Sequence, residues 1–127
     1  MASWRRTAAE LLPELWVDED DRQTPNAFFF AVLPFTRDAH RRGDDDALRR
    51  AYAFATWCEA QGDELLNAVY VSFYEHLFDA WDVHEDVVRW LSPAVIRDGW
   101  TLWHDRLEPA QLEALRALTR RTGGTGP

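Results

Sequence analysis

Residues 63–81, DELLNAVYVSFYEHLFDAW, decide how the rest of the chain is read. At about 100° per residue, only Glu64, Ala68, Ser72, Glu75 and Asp79 line up as a polar strip. Leu65, Leu66, Val69, Tyr70, Phe73, Tyr74, Leu77, Phe78 and Trp81 cover most of the remaining circumference. A helix apolar over so wide an arc has to be covered on more than one side. The stretch therefore predicts a central helix enclosed by its neighbours.

Working outward, the upstream flank supplies two such neighbours. Asp44-Asp45-Asp46 opens a helix whose Leu48, Ala51, Tyr52, Ala55 and Cys58 form one stripe. Gln61-Gly62 ends it, leaving Asp63 to cap the central helix. Before it, Thr24-Pro25 reads as an N-cap followed by the first helical residue. That helix is predicted from Pro25 to Arg42, with Phe28, Ala31, Val32, Phe35 and Ala39 on one face and Pro34 on the other. Gly43 closes it. Thr7 and Glu10, at capping-box spacing, predict a first helix starting near Thr7. Downstream, Val83, Val87 and Leu91 mark a short helix capped near Asp82. Ser92-Pro93 restarts the chain, with Val95, Ile96, Trp100, Trp103 and Leu107 inward and Gly99 weakening the middle. Glu108-Pro109 opens the last helix, with Leu112, Leu115 and Leu118 inward.

No segment shows strand alternation bounded by hairpin turns. The expected fold class is all-α, five to six antiparallel helices in a small bundle or a short HEAT-like α-solenoid. The solenoid alternative comes from Gly43-Asp44 and Gly62-Asp63, which lie 19 residues apart and each begin a fresh helix. Residues 1–122 are expected to form a single helical domain, with residues 123–127 as a flexible tail.

Composition narrows the function classes. The chain has 127 residues, 46% of them hydrophobic, with seven Trp and seven Phe, which is globular and not disordered. No apolar run reaches the ~18 residues of a membrane span, and the broken apolar part of MASWRRTAAELLPELW makes a poor signal peptide. A single cysteine allows no internal disulfide and fits a reducing compartment, so a cytoplasmic location is expected. A net charge of −8 argues against nucleic-acid binding and favours a basic partner.

The pattern Gly43-Asp44-Asp45-Asp46-Ala47-Leu48, Phe54, Gly62-Asp63-Glu64 and Val69-Tyr70-Val71-Ser72-Phe73-Tyr74-Glu75-His76-Leu77 resembles a family of small uncharacterised bacterial helical proteins. Their shared core reads GD…L…F…GD…V…SFxExL, often followed by Leu-Gly-Pro, where this chain has Leu91-Ser92-Pro93. The likeness spans roughly residues 25–107, and Val71 to Glu75 is its most telling block. The resemblance implies no enzyme activity and, as its functional expectation, a toxin-immunity protein.

Glu75, His76 and Asp79, with His84, Glu85 and Asp86 close in sequence, invite a metal reading, but neither HExxH nor paired Glu-x-x-His motifs are present. Cys58 lies on an apolar stripe, as an inert thiol does. Ser72 has no nucleophile elbow, and there is no glycine-rich phosphate loop. No catalytic residue, metal ligand or cofactor is expected. Glu75, on the polar strip of an otherwise buried helix, is expected to be a structural polar group.

Binding is the remaining class. Asp18, Glu19, Asp20 and Asp21 are expected to share one end of the molecule with Glu59, Asp63 and Glu64, with little compensating arginine. Most tryptophans are expected in the core, Trp57 excepted, because its face of the helix otherwise holds arginines and alanines. An exposed Trp57 beside acid would be an interface anchor. The expected partner is another, basic protein, with no nucleic acid and no membrane. Whether the chain acts as a monomer or a homodimer is left open, and a homodimeric adaptor or a small metal-binding enzyme stands as the alternative.

Overall fold

Capping residues mark out the helices in the computed structural model, which describes residues 3–122. Ser3 accepts a hydrogen bond from the Arg5 N–H and starts α1, Trp4–Leu11. Thr24 caps α2, Pro25–Arg42, through the Ala27 N–H, and Pro25 takes the first turn, where a missing N–H is harmless. Gly43 ends α2 in the left-handed region at φ 67°, the conformation that favours glycine. Asp44 then caps α3, Asp45–Glu59, through the Ala47 N–H. Helix α3 already closes at Ala60, and Gly62, at φ 112°, takes the N-cap position of α4, Asp63–Ser72, so Asp63 is its first helical residue and not the cap expected from the sequence. Further on come α5, His84–Trp90, α6, Pro93–His104, capped by Ser92, and α7, Pro109–Thr122. Short 3₁₀ turns stand at Asp20–Arg22, Tyr74–Asp79 and Trp81–Val83.

All-α is the class observed, with no strand among the described residues. The described residues hold seven α-helices, more than the five to six expected, one for each of the helical segments marked along the sequence. The start of α1 lies at Trp4 and not near Thr7, since the Ser3 hydroxyl makes the cap.

A larger correction concerns residues 63–81. They do not form one helix: α4 stops at Ser72, and a 3₁₀ segment follows from Tyr74. Val69-Tyr70-Val71-Ser72-Phe73-Tyr74 is a run of weak helix formers, so long-range contacts decide its course. The Ser72 hydroxyl donates to Asn26 Oδ1 (2.7 Å), and the Arg37 guanidinium donates to the His76 carbonyl (2.7 Å). The expected polar strip is also displaced, because Ala68 and Ser72 are buried while Leu66 is exposed.

The chain divides into two compact units, Met1–His76 and Leu77–Pro127. In the first, α2, α3 and α4 pack on one another and α1 packs on α3. Phe29 sits between Phe54 (ring centroids 5.4 Å) and Phe73 (5.5 Å), and Tyr52 meets Phe73 edge-on. The stripe expected on α3 is buried throughout, and on α2 Phe28, Val32 and Ala39 are buried while Pro34 faces solvent. Two buried polar side chains are paired here: Thr36 donates to the Val32 carbonyl, and His40 Nε2 lies 2.7 Å from the Tyr52 hydroxyl.

In the second unit α7 packs on both α5 and α6. Trp103 is fully buried and meets Phe78 edge-on at 4.9 Å. Gly99, one turn before it, leaves room for the indole: a Cβ there would lie 2.9 Å from Trp103 Cζ2. Residues 123–127, expected as a tail, lie outside the described residues.

Candidate functional site

The segment that follows α1 is held at both ends and turned outward in the middle. Leu12 closes α1 by donating its N–H to the Ala8 carbonyl (2.7 Å) and is itself buried, as is Val17. From α3, Arg50 reaches across, donating to the Leu11 carbonyl (2.8 Å) and, through both terminal nitrogens, to the Glu14 carboxylate (2.7 and 2.6 Å). Its Nε donates to Asp46 at 3.0 Å. A planar guanidinium facing a carboxylate in this two-pronged way fixes orientation as well as distance. The hydrogen bond from Arg50 holds the Glu14 carboxyl below its ordinary range, and Glu14 in turn raises the Arg50 pKa. Between the two buried anchors Trp16 is 79% exposed. The other large apolar side chains exposed among the described residues are Phe30 and Leu66.

Trp16 stands at a groove of about 480 Å³ lined by α1, the 12–17 segment and the turn at residues 19–23. Its apolar lining comes from Ala8, Ala9, Leu12, Leu15, Trp16, Val17 and Phe28, and its polar lining from Arg5, Glu19, Arg22 and Gln23. Arg5 is committed to the protein itself. Its Nε donates to the Arg22 carbonyl (2.7 Å), its Nη2 donates to the Gln23 carbonyl (2.9 Å), and its guanidinium lies over the Trp4 ring. It therefore neutralises the carbonyl end of the Asp20–Arg22 turn.

On the other side of the α1 start, Ser3 and Trp4 share a second, open depression with Gln61, Gly62, Asp63, Glu64 and Leu65. The N-terminus of α1 thus adjoins both of the acidic segments singled out in the sequence. Asp18, Glu19 and Asp20 are exposed and Asp21 is half-buried; Asp63 and Glu64 are exposed. Arg5 and Arg22 lie among them, so this region holds more arginine than expected.

The remaining candidates serve the interior. Glu59 is half-buried and accepts a 2.6 Å hydrogen bond from the Tyr74 hydroxyl. Burial first, and the Glu59 carboxylate second, raise the Tyr74 pKa. Trp57 is half-buried and stacks on Phe54, with ring centroids 6.5 Å apart and planes 11° from parallel. The exposed indole is therefore that of Trp16 and not Trp57. Sequence periodicity missed it because Trp16 lies outside any helix, where no face can be assigned. One signal was available: Leu12, Leu15, Trp16 and Val17 crowd more apolar residues around Pro13 than so short a connection can bury.

Glu75 is partly buried, its carboxylate 3.6 Å from His76 Nε2. The His84 ring stacks on Trp81 at 3.7 Å, and its Nδ1 lies 2.6 Å from the Trp81 carbonyl. Among the described residues, no three His, Cys, Asp or Glu side chains are placed to hold one metal ion. Burial pushes the Cys58 thiol up to about 12, so it stays protonated at neutral pH. No described helix is long and apolar enough to cross a membrane.

The arrangement is thus a groove of mixed polar and apolar lining with an indole at its edge and carboxylates beside it. No curated protein and no solved structure gives a significant match to the chain. A family model described as a domain of unknown function, DUF7674, matches residues 5–108, which take in all but the first residue of α1, α2 to α6 and the whole of the groove. The chain belongs to that family.

Proposed function

We propose that the chain is a protein-binding module that neutralises a cognate bacterial toxin by docking on its basic active surface and covering it. The observation that carries this reading is Trp16, 79% exposed on a segment pinned from both sides and followed directly by Asp18, Glu19, Asp20 and Asp21. A large, rigid aromatic side chain presented in this way is the residue type that dominates binding energy at protein interfaces. The acid around it selects for a basic partner and speeds encounter with it. Asp63 and Glu64, exposed in the depression on the other side of the α1 start, add further negative charge. Covering an active surface in this way requires no chemistry from the inhibitor.

The test is co-expression with the product of the adjacent gene. The expected outcome is restored growth and an equimolar complex that survives purification. Absence of both would overturn the proposal.

A further inference from the structure

Resting on that reading, we infer that the groove beside α1 receives one short segment of the partner, in which an aliphatic side chain lies close to an arginine. Its volume of about 480 Å³ is within the ~300–1,000 Å³ of sites that enclose small ligands or a few side chains. Within its mixed lining, Ala8, Ala9, Leu12, Leu15, Val17 and Phe28 form an apolar strip fit for one aliphatic side chain, beside the polar groups of Glu19, Arg22 and Gln23.

The arginine follows from charge and from the indole. Asp18, Glu19 and Asp20 are exposed next to the groove. Arg5, which donates to the carbonyls of Arg22 and Gln23, and Arg22 set two positive charges against these three exposed carboxylates, so the balance beside the groove is still negative. The exposed Trp16 ring offers a face on which a guanidinium stacks better than an ammonium does. A second copy of this chain fits poorly, because it carries a net charge of −8 and would bring acid against acid.

Random peptides displayed on phage and selected on the intact protein test the inference. Enriched sequences are expected to pair arginine with Leu, Ile, Val or Met. Trp16→Ala should weaken their binding by about thirtyfold or more, the effect of losing an interface anchor. Ala9→Phe, which fills the groove from an exposed helix position, should abolish binding. Both variants should keep the parent's helical circular dichroism and melting temperature, since both positions are exposed.

Enrichment of acidic peptides, no enrichment, or binding that survives both substitutions would overturn the inference. A dimer in light scattering that Trp16→Ala dissolves would also overturn it, in favour of a second copy. Binding that survives both groove variants but is lost in Asp63→Lys/Glu64→Lys would reject the groove and leave the proposed function standing. Peptide binding as expected, with no rescue on co-expression, would reject toxin neutralisation and leave the groove.

Discussion

Cys58 and Tyr74 are buried acids of the first unit, and the fold favours the neutral form of each, which ties stability to alkaline pH. Burial pushes the Cys58 thiol up to about 12, against about 8.5 in an unfolded chain. Because the folded pKa is the higher one, the stabilisation is complete below the unfolded value. It is lost as pH rises towards the folded value, where the unfolded state has already released its proton. Tyr74, raised by burial and by Glu59, acts in the same direction above tyrosine's ordinary ~10. The urea midpoint should therefore fall steadily between about pH 9 and pH 11. In Cys58→Ala, a small cavity should lower the midpoint at neutral pH, and the first part of the alkaline decline should flatten. A parent midpoint that stays level across this range would contradict the assignment.

Among the elements, α6 shows how a residue unfavourable for helix formation is retained for packing. Glycine in a helix interior is about 1 kcal/mol worse than alanine, so propensity alone predicts that Gly99→Ala stabilises. The Cβ would meet Trp103, fully buried at 2.9 Å, and overpacking of this kind costs about 1–3 kcal/mol. The expected net result is destabilisation by about 1 kcal/mol, measured by chemical denaturation. A gain in stability would mean that the indole moves aside freely. The end of α4 carries a related lesson. Apolar residues all round residues 63–81 suggested a long helix, but a β-branched and aromatic run ended it where Asn26 and Arg37 offered other partners.

For the whole molecule the net charge of −8 is the governing quantity. Its field acts over about 10 Å at 0.1 M salt and far less at 1 M. The association rate with a basic partner should therefore fall steeply as ionic strength rises from about 0.05 to 0.5 M, while the dissociation rate changes little. Stopped-flow mixing checks this, and an association rate indifferent to salt would count against the acidic face as the docking surface. The folded state itself should be far less sensitive, because many of its ion pairs are local and exposed, as with Arg49–Asp46 and Arg116–Glu113.

What the sequence determined by itself was local: the all-α class, the caps at Thr24, Asp44 and Ser92, the stop at Gly43, and the buried stripe of α3. Each of these is written within one or two helical turns, where spacing and residue type act directly on the backbone. Tertiary structure alone decided which acids are spent on the interior, which tryptophan is presented and where a groove opens. Arg50 holds Glu14 across 36 positions of the chain, Ser72 meets Asn26 across 46, and Tyr74 takes up Glu59 across 15. Those pairings depend on how helices meet in space, and a periodic pattern within one helix carries no record of its neighbours.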